Sequence, residues 1–251
     1  GSVLVIDEAG MIGLHDMADL VKMSHERKYV LKLIGDPEQL QPIDVGAPFR
    51  AILQNVGFYK LEQVRRQSCK KECAMTHALS RGDTGLAIDH YVSDDRLLLD
   101  NSSNLKTELF KQWESYTDDL NSSLIIAHTN EDVFELNYHA RNYLSNMGRL
   151  GEGHEFTVKV SDNKQVKEFA ANDRIVFLKN DRKVGVKNGS LGQIQSIEEG
   201  IVSVLLDNGK TVSFNPRKYN EFDHGYAVTV HKSQGATVDN CLTYVSGKGW
   251  D

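Results

Sequence analysis

Two carboxylates stand where a strand would end. Val3-Leu4-Val5-Ile6 is a short, continuous apolar run, and Asp7-Glu8 follows it directly. Such a run reads as a strand buried in a parallel sheet. Acids at its carboxyl end suit a divalent cation and a polarised water: Asp7 would hold Mg²⁺, usually through water, and Glu8 would polarise the attacking water. Alone, the same six residues are better read as a strand-end acid pair capping the next helix. A second stretch tips the balance. Tyr29 to Ile34 is mostly apolar and is stopped by Gly35-Asp36-Pro37. Gly35 to Pro42 should therefore emerge at the same edge, where open α/β sheets bind ligands. Within it, Gln39 offers a neutral amide that can hydrogen-bond a terminal phosphate without adding charge.

The elements that must position these groups alternate. Leu14, Met17, Leu20, Val21 and Met23 recur at roughly helical spacing between the two apolar runs, the βαβ rhythm of a helix-covered parallel sheet. Phe58 to Leu61 reads as a short strand, and Glu72 to Leu79 and Leu105 to Trp113 read as helices. Leu124 to Ala127 is another buried-strand candidate, followed by an amphipathic stretch around Val133, Leu136 and Tyr143. The texture changes near Gly151. Arg174 to Leu178, Gly192 to Ile197, Ile201 to Leu206 and Thr211 to Phe214 read as short strands, with turn dipeptides Asn188-Gly189 and Asn208-Gly209. Four such strands predict a small barrel. Tyr226 to Val230 then resumes the buried-strand style, so the β-rich segment reads as inserted into an α/β domain.

The totals constrain partners mildly. The 251 residues carry 29 Lys and Arg against 35 Asp and Glu, a net charge of -6. That balance argues against broad nucleic-acid affinity but permits a local basic groove. Cys69, Cys73 and Cys241 make no disulfide or zinc spacing, which points to ordinary thiols in a reducing, cytoplasmic compartment. The first apolar run is far too short to span a bilayer, so no membrane partner is expected.

In order, the motifs resemble those of superfamily 1 helicases of the RecD-like branch. Asp7-Glu8-Ala9-Gly10 and Gly35 to Pro42 are similar to motifs II and III, the first being a Walker B pattern. Val64-Arg65-Arg66-Gln67 resembles the motif whose arginine reaches the ATP γ-phosphate, and by position that arginine is Arg66; its permanent charge and forked donors suit phosphate oxygens. Ala127-His128-Thr129-Asn130, with Leu136-Asn137, resembles the segment that contacts the single-strand backbone, which implicates Thr129 and Asn130. Thr229-Val230-His231-Lys232-Ser233-Gln234-Gly235 resembles motif V. There the resemblance implies that Thr229, His231, Lys232 and Ser233 face DNA, with Gln234 and Gly235 nearer the nucleotide. Asn172 to Phe177 and Lys187 to Gly192 resemble the opening strands of the small SH3-like barrel these helicases carry. Gln41 before Pro42, Gly46 with Phe49-Arg50, Arg65-Arg66-Gln67 and His224 to Ala227 are similar to the helicase part of conjugative relaxases of the TraA or MobA type.

The resemblance implies an α/β fold of RecA-like parallel sheets, the first truncated, with an inserted SH3-like β-barrel. It divides the chain into 1–57 (partial first RecA-like domain), 58–150 (second RecA-like domain), 151–220 (barrel) and 221–251 (return to the second domain). It implies an ATP-dependent 5′-to-3′ DNA translocase for conjugative transfer, with ATP and Mg²⁺ as cofactors. Single-stranded DNA is the expected partner, alongside conjugative transfer proteins. No Gly-x-x-x-x-Gly-Lys-Ser/Thr loop occurs in the 251 residues. That loop would precede residue 1 in the family, and the family's last motif, with its own arginine, would follow Asp251. The chain is therefore expected to be truncated at both ends relative to the family and not to hydrolyse ATP by itself. The alternative is a non-catalytic module that binds single-stranded DNA or a transfer-machinery protein.

Overall fold

The computed structural model describes residues 1–39, 42, 46–61, 69–99, 104–160 and 162–246, and the chain divides into two units after Leu98. In the first unit, β1 (Val3–Ile6) leads through a short 3₁₀ turn, Ala9–Met11, into α1 (Leu14–Arg27) and β2 (Val30–Leu33). The two strands pair in parallel, Val3 opposite Val30 and Ile6 opposite Leu33. Next come α2 (Pro48–Val56), which has its proline in the first turn, and then α3 (Lys70–Ser80) and α4 (Thr84–Ser93). Ala9, Met17 and Phe49 form the buried centre, with Ile6, Leu33, Ile52 and Leu53 packed on it.

Two sequence expectations change here. A fully buried first strand was predicted, but Val3, Val5 and Val30 are 57%, 52% and 62% exposed. Side chains alternate across a sheet, and the buried cluster takes only one face of this two-stranded ribbon. Phe58 to Leu61 is not a strand either; Tyr59 and Leu61 are almost fully exposed. Aromatic composition favours strands only where a neighbour supplies the ladder, and none pairs here among the described residues.

The second unit is built around a three-stranded parallel sheet. α5 (Leu105–Glu114) precedes β3 (Ser123–Ala127), and α6 (Asn130–Asn146) follows it. A long excursion then runs through β4 (His154–Val160), β5 (Asn163–Phe169), β6 (Arg174–Phe177), β7 (Leu191–Glu198), β8 (Ile201–Leu206), β9 (Thr211–Phe214) and β10 (Phe222–His224). β11 (Ala227–Thr229), α7 (Val230–Ser233) and β12 (Asn240–Tyr244) complete the parallel sheet, whose order is β11-β3-β12.

β3 lies between two partners, which is why Leu124, Ile125 and Ala127 are almost wholly buried. On one face, Ile125 and Ala127 pack with Leu109 and Trp113 of α5 and with Leu136, Ala140 and Leu144 of α6. On the other, Leu124 and Val228 meet Val176 and Leu191 of the excursion. The inserted strands thus do what a second layer of helices does in other α/β sheets.

Within the excursion, β10-β6-β7-β8-β9 form an antiparallel sheet and β4-β5 a separate hairpin. The four strands read from the sequence are all present, but the ladders do not close into a barrel among the described residues. The hairpin still shares the sheet's core: Val158 and Phe169 pack with Phe177, Phe214 and Phe222. Gly225 is required where the chain leaves this sheet, because a Cβ there would lie 2.6 Å from the Ile175 carbonyl carbon.

Candidate nucleotide edge and nucleic-acid interface

In the first unit, the loops after β1 and β2 are sewn together. Ile34 N–H donates to the Ile6 carbonyl at 2.8 Å, and Ala9 N–H donates to the Ile34 carbonyl at 2.8 Å. Gly35 sits so close to the first loop that a Cβ would lie 2.9 Å from Gly10 N and 3.0 Å from Ala9 N. Asp7 and Glu8 therefore share one edge with Asp36 and Gln39, as the spacing predicted. Glu8 has φ 52° and ψ 40°, a left-handed conformation that non-glycine residues rarely adopt and that clusters at functional sites. Its N–H donates to Asp7 Oδ1 at 3.0 Å. Asp36 organises the second loop: Oδ1 accepts Glu38 N–H at 2.9 Å and Oδ2 accepts the Gln39 amide at 3.3 Å. Arg50 on α2 anchors this loop by donating from Nε to the Pro37 carbonyl at 2.7 Å.

Among the described residues, no cluster of three or more His, Cys, Asp or Glu side chains is arranged to hold a metal. Mg²⁺ needs no such cluster: it is commonly bound by one or two carboxylates, with water and phosphate filling its remaining positions. Asp7 and Glu8, both exposed, fit that description. Leu40, Gln41 and the Val64 to Gln67 segment, including Arg66, lie outside the described residues.

In the second unit, β3 and β11 run in parallel, with Thr229 opposite Ala127. Each strand runs into a helix capped by a threonine. Thr129 Oγ1 accepts Asp132 N–H at 3.0 Å, and Thr229 Oγ1 accepts Lys232 N–H at 3.4 Å. The predicted Thr129, Asn130, Thr229, His231, Lys232 and Ser233 are thereby brought to one edge. Asn130 and His231 are exposed, and Lys232 and Ser233 are half-buried. Gln234 follows α7 and leads to Gly235, exposed at φ 84° with open space where a Cβ would stand.

Two of the predicted hydroxyls are already committed. Thr129 donates its proton to Asp132 Oδ2 at 2.7 Å, and Ser233 donates to the Val230 carbonyl at 2.8 Å. In this arrangement, either can offer an incoming phosphate only a lone pair. Leu136 and Asn137, quoted with the Thr129 motif, are buried. Asn137 clasps β11 instead: its Nδ2 donates to the Ala227 carbonyl and its Oδ1 accepts Ala227 N–H, both at 2.9 Å.

The charged groups behind this edge were not singled out in the sequence. Asp132, 7% exposed, takes an ion pair from Lys106 at 2.9 Å and a hydrogen bond from Ser246 at 3.0 Å. Burial pushes its carboxyl pKa up, but hydrogen bonds from Lys106, Thr129 and Ser246, with the Lys106 charge, leave it below the ordinary value. The signal was present, since Thr129-x-x-Asp132 is a capping pattern. Asp173, fully buried, accepts from Tyr226 Oη at 2.5 Å, Ala170 N–H at 2.7 Å and Arg141 Nε at 3.1 Å. Burial, with the Asp173 charge, holds the Tyr226 phenol well above its usual pKa, so it remains a donor. Burial lowers the pKa of Lys232, with Asp223 opposing that shift and Lys167 adding to it.

Known proteins show what the whole chain is similar to. Residues 1–101 match a family described as an AAA domain. A probable conjugal transfer protein TraA from Sinorhizobium fredii is 40% identical over 98% of this chain, which spans 22% of that protein's length. The chain is TraA-like over nearly its whole length. An ATP-dependent RecD2 DNA helicase from Deinococcus radiodurans is 28% identical over 93% of the TraA-like chain and 31% of its own length. The crystal structure of Pif1 helicase from Bacteroides in complex with ADP-AlF3 and ssDNA matches the fold with a TM-score of 0.63 and 20% identity. That likeness covers 98% of this chain and 65% of the other. The RecA-like, mixed α/β fold with parallel sheets stands on this likeness. No helix among the described residues is long and apolar enough to cross a membrane.

Proposed function

We propose that this TraA-like chain supplies the motor part of a DNA helicase for conjugative transfer, one that moves 5′ to 3′ along single-stranded DNA as ATP is hydrolysed. In this reading, Asp7 holds Mg²⁺ and Glu8 polarises the attacking water. Gln39 and Arg66 address the γ-phosphate, and Gln234 and Gly235 lie toward the nucleotide. Thr129, Asn130, Thr229, His231, Lys232 and Ser233 face the strand, with Thr129 and Ser233 acting through backbone position. The domain division at 57, 150 and 220, the assignment of the β-rich segment to an SH3-like barrel, the contact with transfer proteins and the cytoplasmic location belong to the same reading.

The observation that carries it is the pair of threonine-capped helix starts on adjacent parallel strands. Their N–H groups and the neighbouring Lys232 suit a phosphate backbone. Fluorescence anisotropy with a labelled single-stranded oligonucleotide, repeated over a series of salt concentrations, tests it. Binding should weaken steadily with salt, and Lys232→Ala should weaken it further while making the salt dependence shallower. Salt-insensitive or undetectable binding would refute the DNA-facing assignment.

A further inference from the structure

The outer side of α6 carries two aromatic rings that the core does not use. Leu136, Asn137, Ala140 and Leu144 turn inward, whereas Phe134 and Tyr138 are 55% and 58% exposed. A single exposed ring is ordinary on any surface. Phe134 differs because of what stands beside it. The Lys167 ammonium of β5 lies 5.4 Å from its ring centroid. The same ammonium pairs with Asp223 of β10 at 2.6 Å. Lys232 of α7 is close enough to Asp223 and Lys167 to feel both charges. An exposed ring and the insert's half-buried lysine thus touch, and the half-buried lysine of the motif V segment lies within range of the same charges.

The charges in this cluster are unbalanced. Lys167 pairs with Asp223, whose Oδ1 also accepts the His224 N–H at 2.8 Å, and Lys232 has no ion pair of its own among the described residues. The other nearby acids have partners of their own: Glu135 and Asp132 pair with Lys106, and Glu168 pairs with Arg141. An anion arriving beside Lys232 would complete the set. Single-strand binders combine cations that track the backbone with aromatic faces that take bases.

We propose that Phe134 is a base-stacking residue, with a nucleobase of the single strand on its open face and the adjoining phosphates beside Lys232 and Lys167. The proposal rests on the DNA-facing assignment of Lys232, and it extends the strand's path from α7 across α6 to the β4–β5 hairpin.

The test uses the 251-residue chain with two labelled probes, an oligothymidylate and an abasic strand of equal length. Phe134→Ala should weaken oligothymidylate binding by about fivefold or more, the low end of what losing a base–aromatic stack costs. It should leave abasic binding unchanged. Phe134→Trp should keep the affinity, and its added fluorescence should be quenched by oligothymidylate and not by the abasic strand. If Phe134→Ala disturbs the fold by circular dichroism, the Phe134→Trp quenching decides. Equal losses on both probes, or wild-type affinity in Phe134→Ala together with unquenched Phe134→Trp, overturn the stacking role. When Lys232→Ala still weakens binding in that case, the DNA-facing assignment survives alone. Absence of binding by the wild-type chain removes both.

Discussion

Replacing Asp173 by Ala should be among the most damaging single changes in the second unit. Its carboxylate is fully buried and satisfies three donors: the Ala170 N–H, the Tyr226 hydroxyl and Arg141 Nε. Removing it strands a buried phenol and a largely buried guanidinium. Breaking a buried ion pair from one side typically costs about 3–5 kcal/mol, and a stranded neutral donor about 1–3 kcal/mol. Arg141 keeps Glu168 at 2.8 Å, which limits the total, so we expect a loss of about 3–5 kcal/mol. Trp113 is buried in the second unit. Its fluorescence reports that unit without demanding that the whole chain unfold in one step. For a urea slope of about 2 kcal/mol/M, the midpoint should drop by about 2 M. Tyr226→Phe, which removes one donor and leaves the charges paired, should cost about 1–2 kcal/mol. A midpoint for Asp173→Ala within about 0.5 M of wild type, a loss near 1 kcal/mol, would refute the reasoning that Tyr226 and Arg141 depend on this carboxylate.

Two further expectations concern the edges. The pKa of Asp132 is depressed in the fold, so its stabilising contribution is present above the ordinary value of 3.8 and disappears as pH falls through the folded-state value. Asp132→Asn should therefore be less stable than wild type near neutral pH, and the difference measured by urea titration should shrink in acid. In the first unit, Gly35→Ala would press a methyl group against two backbone nitrogens that cannot rotate away, costing about 1–3 kcal/mol. Hydrogen exchange should then speed up at the β1–β2 amides, while Gly85→Ala, facing open space on α4, should leave those amides unchanged.

Apolar runs gave most of the strands. Val3–Ile6, Ile201–Leu206 and Thr211–Phe214 appear with the expected limits, and Ser123–Ala127 differs by one residue. The β4–β5 hairpin was not legible, because its strands carry Lys and Glu at outward positions and only Val158 and Phe169 are fully buried. Alternation that weak resembles a polar loop. The reverse failure occurred at Phe58 to Leu61, where strand-like residues met no partner. The edge carboxylates Asp7 and Glu8 were readable because apolar run and acids are contiguous. Asp173 and Lys167 were not, because their partners Tyr226 and Asp223 lie more than fifty residues away along the chain. Chemistry assembled from such distant positions leaves no spacing to read. The Thr129 and Ser233 hydroxyls teach a different lesson: the sequence placed them at the edge, but not where their protons point.

The clasp between Asn137 and Ala227 has a mechanical meaning. One side-chain amide closes a two-bond ring with one backbone residue, mimicking the pairing of an additional strand. Sliding α6 by a turn would break both bonds inside a dry core, so helix and strand can only travel as a single piece. Thr129 begins that helix and Thr229 ends that strand. The two caps are thus held at a fixed pitch, like two teeth cut on one gear, and any shift of the sheet's edge moves both by the same step.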